Sequence, residues 1–141
     1  MPLVTLILVA LNLAGFALEL VDGGSAVCGA YGLVPRAFVH GGALEPLLTS
    51  MFLHDPSTWV HLGCNMAFLA VFGAVVESEL GSLAFAALYV VAGVAGGLGH
   101  VLVDPSSAVP LVGASGAIFG VMAVAGAVRP GCSASSWPSS A

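Results

Sequence analysis

No lysine occurs in this chain of 141 residues, and its basic side chains are two arginines, Arg36 and Arg129. Set against seven acids, they leave a formal net charge of −5. Without a basic patch, nucleic acid and an anionic membrane surface are excluded as ligands. Charge of either sign is scarce: 6% of residues carry one, where a soluble domain carries roughly a quarter. A chain so poor in charge has too few polar groups to cover a water-facing surface. Cysteine is sparse as well. Cys28, Cys64 and Cys132 lie far apart with no CxxC pair, which implies neither a disulfide framework nor a metal site. The first apolar stretch has no basic region before it and no clear small-residue cleavage site, so it reads as a retained span rather than a removed signal.

What is present is apolar. Hydrophobic residues make up 59% of the chain and the mean hydropathy is +1.10, which places the protein in a bilayer as an all-α, polytopic helical bundle. A helix crosses the hydrocarbon core with about 20 apolar residues. Stretches of that kind run over about 3–21, 59–76 and 83–103, and a shorter fourth over 115–128. Glu77-Ser78-Glu79 and Gly81 are expected to end the second, and Asp104-Pro105 the third. The first loop, 22–58, is too apolar for a plain linker and is expected to fold onto the membrane surface as short interfacial helices. Nineteen glycines suit close helix packing, and Gly93 with Gly97 forms a GxxxG pair that marks a packed face. Residues 1–128 form the membrane domain, and 129–141, GCSASSWPSSA after Arg129-Pro130, a polar tail unlike the rest. The two arginines argue for opposite orientations.

Polar side chains inside spans are costly and face the bundle interior. His61 and Asn65 stand four residues apart, a spacing that stacks them on one helix face. Together they are able to hold an oxyanion or an ordered water, or to serve as glue between helices, and spacing alone leaves both open. Ser115 follows a tight Gly113-Ala114 turn at a helix start. Unsatisfied backbone N–H groups there favour developing negative charge, as an acyl-transfer serine requires. The competing role is that of a helix N-cap, the commoner use of serine at such a place.

The order of motifs narrows the choice. LTSMFLHD at Leu48–Asp55, HLGCNMAFLAVFGAVVESELG at His61–Gly81 and VGASGAIFGVMA at Val112–Ala123, with YGLVP at Tyr31–Pro35 and LYVVAGVAGG at Leu88–Gly97, resemble the rhomboid family of intramembrane serine proteases. The resemblance implies Ser115 as the nucleophile, with Gly113 and Gly116 as the structural glycines of its GxSG motif. It implies an oxyanion site made by His61, Asn65 and the backbone N–H of Ser115. It also implies that Glu77 braces the bundle rather than reacts, and that the fourth helix starts at the bottom of a water-filled cavity.

The family's general base is a histidine on a sixth span, and no histidine follows Ser115 in these 141 residues. Four of the usual six spans are present, so the chain reads as a truncated rhomboid core, natural or frameshifted, and as inactive or nearly so. His100, late in the third span, is the one spare histidine inside a span; it is expected near the membrane boundary. His40 and His54 are expected in surface or interfacial positions of the first loop. The implied function is endopeptidase cleavage of transmembrane proteins through an acyl-enzyme, without metal or organic cofactor. The alternative is a non-catalytic rhomboid-like protein that binds client helices; a small transporter or channel subunit ranks third. The partners implied are transmembrane substrates and the lipid bilayer, and the setting is an integral, multi-pass membrane protein, in the plasma or inner membrane if bacterial.

Overall fold

The computed structural model describes residues 2–23 and 25–128; the polar tail inferred for 129–141 lies outside the described residues. Helix α1, Leu3–Asp22, ends on Gly23 in a left-handed conformation with φ 73°, the usual glycine stop. The first loop folds into short helices α2 (Ser25–Tyr31), α3 (Pro35–Val39) and α4 (Pro46–Thr49), and α4 runs into a 3₁₀ turn at Ser50–Phe52. Both α3 and α4 place a proline in the first helical turn, where its missing N–H costs nothing.

The second long helix runs as α5 (Trp59–Phe68), a π turn (Leu69–Gly73) and α6 (Ala74–Leu80). It continues through Glu77 and Glu79 and stops at Gly81, φ 82°, the glycine expected to end it, so the helix reaches Leu80 where the apolar run closes at residue 76. Acids did not terminate it because Glu77 is satisfied internally. Helix α7, Ser82–Val103, follows at once, and α8 spans Ser115–Val128. Three helices, Leu3–Val21, Trp59–Leu80 and Ser82–Val103, are long and apolar enough to cross a membrane, with mean hydropathies of 2.2, 1.7 and 1.9. At 14 residues, α8 reaches about 21 Å, short of the roughly 30 Å hydrocarbon core. Leu6, Leu18, Val91, Leu102 and Phe119 are exposed, as lipid-facing side chains are. The protein is an integral, multi-pass helical membrane bundle.

Leu69, Val76, Phe85, Tyr89 and Val121 form the sealed centre of the bundle. Gly73, in the π turn, lets α1 and α7 close in: a Cβ there would stand 3.1 Å from both Thr5 and the Phe85 ring. Small residues also set the α7–α8 contact, though not at the GxxxG pair. Gly93 faces Met51 and Gly97 faces Leu33 and Leu47, all from the first loop, whereas Gly96 meets Gly116 backbone to backbone. The packed face expected at Gly93 and Gly97 is therefore the seat of the loop.

Glu77 braces the bundle directly. The residue before α1 is Pro2, which makes no side-chain cap. The buried Glu77 carboxylate supplies one from another helix, accepting the N–H groups of Val4 (2.9 Å) and Thr5 (2.8 Å). Those are the orphan donors a capping side chain normally satisfies. The hydroxyls of Thr5 (2.8 Å) and Ser82 (2.6 Å) complete its shell.

Candidate active site

The turn that carries Ser115 hangs from the first loop. Leu33 and Leu111 exchange backbone bonds of 3.0 and 2.8 Å, the Arg36 N–H donates to the Ser107 carbonyl at 3.0 Å, and the Gly113 N–H donates to the Ser50 carbonyl at 2.9 Å. Gly113 has φ 125°, which a side chain would strain. An added Cβ would also lie 3.0 Å from Cε1 of His61, so residue 113 is glycine for backbone and for packing alike. The Ala114 carbonyl then accepts the Ile118 N–H at 3.0 Å. That makes Ala114 the cap position and Ser115 the first residue of α8, so the N-cap role weighed for Ser115 is not the one it holds. Its N–H belongs to the helix's first turn, which has no intrahelical acceptors.

His61, Asn65 and Ser115 line one cavity of about 380 Å³ between α5 and α8, walled on its apolar side by Phe68, Ile118 and Met122. Asn65 is buried and His61 half-buried. Ser115 also borders a second cavity, about 230 Å³, together with His100, Ser50 and the glycine face of α7. His100, in the last turn of α7, thus shares a space with Ser115. His40 is exposed on the first loop. Among the described residues no group of three or more His, Cys, Asp or Glu is arranged to hold a metal ion.

His54 departs from its expected surface position. It is fully buried, and its ring lies 5.5 Å from that of His61. Asn65 Nδ2 donates to its Nε2 at 3.0 Å, while both oxygens of the buried Glu19 accept the His54 N–H at 2.9 Å. The Cys28 thiol donates to the same carboxylate at 3.2 Å. Burial, and secondarily the nearby His61, push the His54 ring from its ordinary 6.5 down to about 4, so it is neutral at pH 7. Reading the sequence missed His54 and Glu19 as neighbours of the site. The available signal was the TSMFLHD motif, whose histidine sits in the short segment between the 3₁₀ turn and α5.

Comparison with known proteins gives the family. The Rhomboid domain model matches residues 41–131, a stretch holding His54, His61, Asn65, Glu77 and Ser115. Rhomboid protease GluP of Bacillus subtilis (strain 168) is 33% identical over 124 residues, which is 86% of this chain and 24% of that protein. Rhomboid-like protein 11, chloroplastic, of Arabidopsis thaliana is 42% identical over 82 residues (58% of this chain, 28% of that protein). RHOMBOID-like protein 5 from the same plant is 36% identical over 91 residues (64% and 29%). The chain therefore spans between 24% and 29% of the length of these relatives. No solved structure gave a significant match. A Rhomboid domain over most of the chain, on a helical bundle whose short fourth helix opens on Gly113-Ala114-Ser115, assigns the chain to the rhomboid family.

Proposed function

We propose that these residues form the nucleophile and oxyanion half of a rhomboid-type intramembrane serine endopeptidase. The observation that carries the reading is the single cavity shared by His61, Asn65 and Ser115. In the reaction, Ser115 Oγ attacks the carbonyl carbon of a peptide bond in a transmembrane substrate, and a base takes the hydroxyl proton. The negative oxygen of the tetrahedral intermediate is met by the His61 and Asn65 side chains and the Ser115 N–H. One such donor is worth on the order of 10²–10³ in rate. The carbon–nitrogen bond then breaks, the proton passes to the leaving amine, and water hydrolyses the acyl-enzyme. The short α8 begins beside the cavity, which supports water access at depth, since irregular backbone is tolerated in a membrane where it lines such a space.

The base is the part of the reaction that the Ser115 cavity does not assign. No histidine follows Ser115, and loss of a catalytic histidine costs on the order of 10⁴–10⁶ in rate. We expect the 141-residue chain alone to react slowly with a fluorophosphonate probe, and added imidazole, standing in for the base, to speed labelling in proportion to its concentration. Ser115→Ala should abolish labelling under both conditions. Fast labelling without imidazole, lost in His100→Ala, would instead make His100 the base through the second cavity. A second reading is a non-catalytic protein holding client helices in the same cleft, whose apolar wall of Phe68, Ile118 and Met122 suits a hydrophobic helix. Its mark is cross-linking to membrane helices that survives Ser115→Ala, with no labelling even in imidazole.

A further inference from the structure

We propose that His54 is the positioning residue for Asn65, holding its amide toward the Ser115 cavity, and that Glu19 fixes His54 for this task. The inference rests on the reading of Asn65 as an oxyanion donor and adds two residues, from α1 and the first loop, to that site.

The terminal torsion of an asparagine is broad and close to two-fold, so the amide alone does not choose which end faces a neighbour. An acceptor fixed beside it does choose. His54 Nε2 is that acceptor, taking one Nδ2 hydrogen at 3.0 Å. The second Nδ2 hydrogen is left for a ligand in the cavity that Asn65 lines. Because an imidazolium has no free lone pair, the bond requires the neutral ring that burial enforces.

A positioning group must itself be held, and His54 belongs to no helix. Its anchor is Glu19, 35 residues earlier, with both carboxylate oxygens on the one backbone N–H. Burying a carboxylate is expensive unless its acceptors are met, so α1 and the loop are tied firmly at this point. The ring's other nitrogen, Nδ1, is buried and has no partner among the described residues. A core histidine chosen for packing alone would not leave a ring nitrogen orphaned, at a cost of about 1–3 kcal/mol. The penalty fits a ring placed for what its Nε2 does.

The test uses the full chain in detergent micelles with ¹⁵N-labelled asparagine. The Asn65 side-chain amide is assigned by its loss in Asn65→Ala. In His54→Leu, which keeps bulk and removes the acceptor, the Asn65 amide resonances should move. In His54→Gln, which restores an acceptor oxygen, they should return toward wild type. Imidazole-assisted labelling of Ser115 should slow about tenfold in His54→Leu and recover to within about threefold in His54→Gln, a partial loss of one oxyanion donor. Unchanged Asn65 resonances in the leucine variant would overturn the proposal. So would a shifted amide with labelling at the wild-type rate. If wild type never labels, the assignment of Ser115 as nucleophile fails, and the amide resonances still decide whether His54 orients Asn65.

Discussion

The two ends of the second long helix each meet a buried carboxylate, and they treat it differently. At the Leu80 end, Glu77 is surrounded by four donors from α1 and the start of α7. Each donor is an orphan N–H or a hydroxyl with little else to bond, so the joint is saturated. At the Trp59 end, Glu19 reaches the helix only through an intermediary: it holds the His54 backbone, and the His54 ring holds Asn65. That chain ends in a ring nitrogen with no partner among the described residues. A saturated joint serves stability alone, whereas an unsaturated one gives up stability to keep a side chain in a chosen direction.

Glu77→Ala should be the most damaging change, because it uncaps α1 and strands several buried donors at once. We expect a loss of about 3 kcal/mol in detergent unfolding titrations; a loss below about 1 kcal/mol would mean that the two ends do not differ as described. Acid should act at the other end. The His54 ring stays neutral in the fold down to about pH 4, while in the unfolded chain it takes up a proton near 6.5. Its contribution is thus complete above pH 6.5 and drains away as pH falls, about 2 kcal/mol by pH 5. The charged or titratable groups around it are Glu19, His61 and Asp55. Unfolding measured at pH 7 and pH 5 should show this slope in wild type and in Glu77→Ala, and a flatter one in His54→Gln. An equal slope in all three would remove His54 as its source. Ser82→Ala sharpens the comparison least, taking one donor of four from Glu77 for about 1 kcal/mol in the same titration.

Much of this was legible in the chain. Three long apolar helices and a short fourth follow from composition and run length, and the shared face of His61 and Asn65 follows from helical spacing within a single element. What escaped the sequence depends on partners distant along it. Glu77 caps α1 through Val4, 73 residues before it, and no local window joins Pro2, a poor cap, to an acid in another span. His54 looked like a loop residue because its segment is irregular; its burial is set by Glu19 and Asn65, one on each side in sequence. The Gly93 and Gly97 pair was legible as a packed face, but its partners are side chains of the first loop, Met51 for Gly93 and Leu33 with Leu47 for Gly97, rather than another long helix. Glycine spacing records how closely something approaches and says nothing of what approaches.

The exchange of bonds between Leu33 and Leu111, with Gly113 on the Ser50 carbonyl, makes the first loop and the turn before Ser115 a single mechanical piece. Under the proposed function, a substrate that wedged beneath the loop would pull on the segment that leads into Ser115 before touching the serine. The exposed Phe68 and Phe119 side chains at the cavity's edge are held by none of these bonds, so under the proposed function they are the walls free to admit a helix from the bilayer. On that reading, entry from the side would leave the Ser115 turn at rest, and entry from above would disturb it.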